Sequence, residues 1–241
     1  LVSSSAASDV YKRQDYYRTD AILTSATGSA KPVFLAPSVA SVITKQEIEA
    51  MGATTLDEVL ETVPGLHVYV SQFSLFSKKW SVRGIHTEAN PHVLLLINGQ
   101  PVQNLHVGFR VAQFQLPVSM ISRVEVIRGP GSAVHGADAF AGTINVITKD
   151  GQEIDGVKAG LRGGSFGRKD AWVQHGGKYG DWDLALGFDL MQSDGDSDRI
   201  VETDLQSALD DGFGTSASLA PGPLESQYNI LSAHLTLTRP R

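Results

Sequence analysis

Cysteine is absent from the 241 residues, so neither a disulfide framework nor a thiolate-held zinc or iron–sulfur centre can be built. Positive charge is scarce: 20 Lys and Arg against 26 Asp and Glu give a formal net charge of −6, the wrong sign for a nucleic-acid binder. No apolar run nears the roughly 18 residues of a membrane helix. The longest, Val93-Leu94-Leu95-Leu96-Ile97, has the length of a strand. Metal-ligand pairing is missing among His67, His86, His92, His106, His135, His175 and His234, none of which forms an H-E-x-x-H pattern. No nucleophile–base pair or pair of carboxylates sits at a catalytic spacing, so the chain is not expected to be an enzyme or to hold a resident cofactor. What is present, 41% hydrophobic and 19% charged residues, is enough for a folded chain of one or two domains.

Residues 1–14 have no apolar core and no periodicity, and they resemble translated adapter sequence rather than a signal peptide. Residues 15–36 are polar and read as an extended arm. From residue 37 the punctuation becomes strong. Val39–Ile43 is a short strand, and Thr44 with Glu47 has capping-box spacing for a helix that Gly52 stops. Thr55 with Glu58 repeats the signal for a second helix, with Leu56, Val59, Leu60 and Val63 on one face and Pro64-Gly65 ending it. Strands are expected at 66–70, 81–84, 93–97, 123–127 and 143–148, with a short helix at 117–121. Asn98-Gly99 marks a tight hairpin turn, because both residues tolerate positive φ. Short helices mixed with strands over 37–149 make an α+β domain.

The pattern changes after Lys149. Segments at 157–162, 170–177, 182–191 and 231–238 alternate apolar and polar residues with a period of two. A tight turn at 178–181 contrasts with the long stretch 193–226. Short turns at one end and a long loop at the other is the asymmetry of an outer-membrane barrel. A soluble sheet with one wet face fits the alternation equally and, on alternation alone, is the simpler reading.

Five motifs in the first domain decide between the two. They are Pro37-Ser38-Val39-Ala40-Ser41-Val42-Ile43-Thr44; Leu56-Asp57-Glu58-Val59-Leu60 with Val63-Pro64-Gly65-Leu66; Val82-Arg83-Gly84-Ile85; Val93-Leu94-Leu95-Leu96-Ile97-Asn98-Gly99; and the run from Ile121 through Arg128-Gly129-Pro130-Gly131 to Thr148-Lys149. In this order they resemble the plug of a TonB-dependent outer-membrane receptor. The resemblance implies an α+β plug domain (37–149) followed by antiparallel β-strands of a truncated transmembrane β-barrel (150–241). The complete barrel would have about 22 strands. The strands here cannot close, and an open edge is not tolerated in lipid, so the chain is expected to be part of a longer receptor. The implied function is TonB-dependent import of a scarce ligand, a ferric siderophore before haem or cobalamin, across the outer membrane of a Gram-negative bacterium. The implied partners are TonB, the ligand and outer-membrane lipid, without nucleic acid. The alternative is a non-transporting, periplasmic plug-like binding or signalling module.

The resemblance also assigns residues. Asp20, Ala21, Ile22, Leu23, Thr24, Ser25 and Ala26 resemble a degenerate TonB box, a strand that would add to a sheet edge of the partner. Arg83 and Arg128 match plug arginines that pair with glutamates of the barrel wall, a bidentate contact that is directional yet breakable. The stretch 71–80 reads as an outward plug loop in which Phe73, Phe76, Lys78, Lys79 and Trp80 could stack on a flat chelate and offset its charge. His106, Phe109 and Arg110 form a second such patch. The glycines at 129 and 131 read as turns between strands; a phosphate loop would need a following Lys-Ser/Thr. Asp194, Asp196 and Asp198 hint at a calcium loop, but Arg199 stands where that loop needs Gly and Leu205 where it needs Glu. A solvated acidic loop is the preferred reading, and no metal site is assigned.

Overall fold

The computed structural model describes residues 22–23, 31–32, 39–71, 74–85, 92–102, 116–131 and 136–239. The chain divides at residues 148/149 into two compact units.

In the first unit, β1 (Ile22–Leu23) pairs with β2 (Lys31–Pro32) in a small ribbon. Strand β3 (Val39–Thr44) leads into helix α1 (Lys45–Met51), and helix α2 (Leu56–Glu61) follows. A hairpin comes next, β4 (Leu66–Ser71) with β5 (Ser74–Val82). Then come β6 (Val93–Ile97), β7 (Gln100–Pro101), β8 (Ile121–Arg128) and β9 (Gly142–Thr148). The central sheet has the order β3-β8-β9-β6-β7, antiparallel except for the β6–β9 pair. Strand β6 is a continuous apolar run because both its faces are covered. Val93 and Leu95 join the core with α1 and α2, while Leu94 and Leu96 pack with Ala139 on the other side.

The caps follow the sequence with one shift. Glu47 N–H donates to Thr44 Oγ1 (3.3 Å) and Glu47 Oε2 accepts from Thr44 N–H (2.7 Å), while Gly52 closes α1 at φ +66°. The second capping box does not form at Thr55. Its backbone is taken by a bridge to Pro117, and Glu58 instead accepts from the N–H (2.6 Å) and hydroxyl (2.9 Å) of Thr54. Leu56, Val59, Leu60 and Val63 are buried as the periodicity requires. The Asn98-Gly99 turn has φ of +50° and +78°, and Asn98 is tied to Thr148 by two bonds of 2.9 Å.

A correction concerns 71–80. Residues 74–82 are not a loop but the long strand β5, with Trp80 and Val82 buried in the core. The serines and lysines in this run hide a strand whose C-terminal half, Lys79 to Val82, is buried.

The second unit opens with helix α3 (Gly151–Ile154), followed by β10 (Gly156–Gly163), β11 (Lys169–Tyr179) and β12 (Trp182–Ser193). A long insertion contains β13 (Ile200–Val201), helix α4 (Leu205–Phe213) and β14 (Gly222–Pro223), and β15 (Tyr228–Thr238) completes the unit. Strands β10, β11, β12 and β15 form an antiparallel meander in that order. Helix α3 shows no apolar period in the sequence, whereas α4 places Leu205, Ala208, Leu209 and Phe213 at helical spacing; both are short and capped.

The meander inverts the logic of a soluble sheet. In register, Ala159, Val173, Phe188 and Ala233 form one row, and Leu161, Ala171, Leu190 and Leu231 the next. This apolar face is open: Phe188 is 45% exposed and Leu161 85%. The opposite face carries Lys158, Arg162, Asp170, Gln174, Asp183 and Asp189, and there Asp189 is only 6% exposed. Apolar outward and polar inward is the alternation of a membrane barrel wall. The band from Trp182 to Leu190 runs roughly 26 Å along the strand, about 20 Å of membrane height at a ~40° tilt.

Candidate functional site

Arg83 and Arg128 are brought close together. Arg83 follows β5 in a tight turn at φ +52°, and its N–H donates to Gly65 O (2.8 Å). Arg128 ends β8. Its guanidinium donates to Pro64 O and, at 2.9 Å, to Ser41 Oγ, while Nε is buried without a partner. Desolvation first, and then the neighbouring charge of Arg83, lower the pKa of Arg128. Among the described residues neither arginine forms an ion pair with a carboxylate; the pairs that do form use Arg123, Arg162, Arg168 and Arg239. Two like charges at one place, one of them half-buried, leave room for an anionic partner. Beside Arg83 lies a shallow groove lined by Leu66, His67, Tyr69 and Ser81. His67 holds Glu61 at 2.7 Å, and the Val68 N–H (2.6 Å) with this histidine lowers the pKa of Glu61.

Of the expected ligand-contact residues, the side chains of Lys78, Lys79 and Trp80 are described. Trp80 is fully buried, and its indole N–H donates to buried Asp57 at 2.7 Å, which leaves no face for a ligand. Lys79 is also buried, and Lys78 is half-buried on the same strand. Phe76 lies on β5, but its side chain, like Phe73, His106, Phe109 and Arg110, lies outside the described residues. Of the segment 20–26, Ile22 and Leu23 are described, in register with Pro32 and Lys31; Asp20, Ala21, Thr24, Ser25 and Ala26 are not.

The glycines at 129 and 131 do not cradle a phosphate. Gly129 N–H donates to Ala141 O (3.0 Å) and Gly131 N–H to Ala139 O (2.8 Å), so both amides serve the fold.

The insertion 194–227 is largely solvent-exposed and also carries internal structure of its own. Asp204 and Ser207 form a reciprocal cap for α4. The Asp210 carboxylate accepts from the Thr215 hydroxyl (2.5 Å), the Ser218 N–H (2.7 Å), the Gln206 amide (2.9 Å) and the Ala217 N–H (2.8 Å). Those donors, Thr215 first, hold its pKa at about 2. Asp194 and Asp196 donate their backbone N–H groups to Phe166 O and Ser226 Oγ. Among the described residues no cluster of acidic and histidine side chains is arranged to hold a metal ion. None of the described helices is long and apolar enough to cross a membrane; strands cross by other means. At the opposite, short-turn end, Trp182 lies under the Arg239 guanidinium at 5.9 Å.

Residues 32–143 match the model of the TonB-dependent receptor plug domain. The chain is 35% identical over 158 residues to the vitamin B12 transporter BtuB of Vibrio vulnificus, covering 66% of this chain and 25% of that protein. The chain belongs to the TonB-dependent receptors. It spans about a quarter of the length of that relative. Among solved structures it resembles the pyoverdine receptor FpvA of Pseudomonas aeruginosa, with TM-score 0.61 and 20% identity over 73% of this chain and 25% of that one. The ferric-catecholate import receptor Fiu of E. coli K12 gives TM-score 0.55 and 25% identity, covering 70% and 23% of the two chains.

As in other TonB-dependent receptors, the chain joins a plug to antiparallel strands, and it is part of a receptor rather than an enzyme. Sequence reasoning missed three features of this receptor: the Trp80–Asp57 bond, the Asp210 cage and the seat of α3. Asp150-x-x-Glu153 has the cap spacing that announces a helix, and Glu153 N–H does donate to Asp150 Oδ1 (2.7 Å). Three of the Asp210 partners follow it at five to eight residues and Gln206 precedes it by four, an arrangement with no cap or turn motif to betray it.

Proposed function

We propose that the full-length protein imports a scarce ligand, a ferric siderophore, across the outer membrane of a Gram-negative bacterium, driven by TonB acting on the arm at 20–26. The observation that carries this reading is the Arg83–Arg128 pair, unmatched by any described carboxylate, in a chain whose other unit is apolar outside and polar inside. Glutamates of further wall strands would complete the pair as a latch. Binding outside would favour release of the arm, TonB would pair with it as an added strand, and the pull would shift the plug. Lipid then covers the open apolar face of the meander. A non-transporting periplasmic module would leave that face to water at a steep cost, roughly 25 cal/mol per Å².

A second ligand class is favoured by one observation, the 35% identity to a vitamin B12 transporter. Uptake of radiolabelled ferric siderophores and of radiolabelled cyanocobalamin into cells whose only such receptor is the full-length protein separates the two. Import should be lost when residues 20–26 are deleted or TonB is absent. Unchanged import after that deletion contradicts the role given to the arm.

A further inference from the structure

The short helix α3 is seated with unusual closeness for four residues. Gly151 lies against the backbone of β11 and β12: a Cβ there would run into Leu184 O and would stand 2.8 Å from Gly177 N and 2.9 Å from Asp183 Oδ1. Gly176 faces it, and a Cβ at that position would meet Ile154 Cβ at 2.6 Å and Gly151 O at 2.7 Å. Two glycines in contact bring helix and wall backbones together with no side chain between them. Gly151 N–H donates to Asp183 Oδ1 at 2.6 Å, and Asp183 is buried. Ile154 is fully buried. Asp150 caps the helix, and Lys158 Nζ donates to Glu153 O (3.1 Å) from the following strand. The contact lies on the polar face of the meander, in the row that holds Gly176 and Ala185.

Connectivity gives this seat a mechanical meaning. Lys149 and Asp150 alone separate α3 from Thr148, the last residue of β9, which sits at the centre of the plug sheet. The arm enters that sheet at Val39, beside Arg128 and hence at the Gly142 end of β9; the chain leaves at the Thr148 end. A pull on the arm is therefore opposed at the far end of the sheet.

We propose that α3 is a fixed clasp, in which Gly151, Ile154, Gly176 and Asp183 hold the chain to the inner face of the wall, so that force on the arm displaces residues before Lys149 and none after it. This rests on the import reading, which supplies the force. The wall keeps its first strand, and the plug returns to the same anchor after each cycle.

The test pulls the full-length receptor, held in a bilayer, by a handle at Thr24→Cys; this chain has no other cysteine. Release should stop once the residues from 24 to 149 are extended, roughly 430 Å of chain. Gly176→Val should let a further segment through Gly163 follow, roughly 50 Å more, at forces that leave the parent intact. If Gly176→Val does not assemble, Asp183→Ala and Gly151→Ala serve the same purpose. The clasp is overturned if the parent releases those extra residues together with the plug, or if every assembled variant stops where the parent does. Pulling needs no TonB, so loss of the import reading would show separately, as a receptor with a firm clasp and no TonB-dependent uptake.

Discussion

The two units of this chain place their apolar side chains in opposite ways. In the plug, β6 is apolar on both faces and covered on both, and Trp80 is sealed against Asp57. In the meander, Phe188, Leu190, Leu231 and Leu235 stand open while Asp170, Gln174, Asp183 and Asp189 are buried. The first unit excludes water from a core of its own. Among the described residues the second unit forms no buried apolar cluster, and it offers its apolar face to a medium that must itself be apolar. Identical residue types thus report two different solvents.

Substitutions can sharpen that contrast. Trp80→Ala should have the largest effect, destabilising the plug by ~3–5 kcal/mol through the cavity and the orphaned Asp57 carboxylate, read as faster amide exchange in β8 and β9. On the wall, Phe188→Arg should cost ~2–4 kcal/mol in a bilayer and lower the yield of assembled receptor, although Phe188 already stands open; a soluble sheet would tolerate it. Removing the α1 cap with Thr44→Ala should cost about 1 kcal/mol, measured by denaturant unfolding of the plug.

The smallest effect is local to the loop. Asp210 has its pKa lowered from 3.8 to about 2 in the folded loop. A depressed carboxyl pKa stabilises fully above the ordinary value and loses that contribution as the pH falls through the folded value. The amides of Ala217 and Ser218 should stay protected at pH 4 and open as the pH nears 2. Asp210→Asn should make their exchange nearly independent of pH over that window, beyond the intrinsic trend.

Much of the plug was legible in the sequence because its signals are local. The Thr44–Glu47 box, the Leu56/Val59/Leu60/Val63 stripe and the Asn98-Gly99 turn each need only neighbours in the chain, and each formed as read. The meander strands were legible from alternation, but which face was buried was not, since period two is the same in water and in lipid. The failures were non-local. Thr55 remains the N-cap but makes no side-chain cap bond: its backbone bridges to Pro117, distant in sequence, and Glu58 pairs with Thr54 instead. Trp80 looked like a surface aromatic among lysines, and only its pairing with Asp57, 23 residues away, turns it inward. Of the candidate site, the Arg83–Arg128 proximity depends on two turns meeting, which no spacing encodes.

Adjacent residues 188 and 189 test the central claim most directly, since they lie on opposite faces of β12. Nitroxide labels at Phe188→Cys and Asp189→Cys in the full-length receptor, reconstituted in bilayers, would be compared for collision with oxygen and with a water-soluble paramagnetic reagent. The account predicts that the label at 188 meets oxygen and is shielded from the aqueous reagent, whereas the label at 189 shows no such preference for oxygen. Free access of the aqueous reagent to the label at 188 would contradict it, and the meander would then be a sheet facing water.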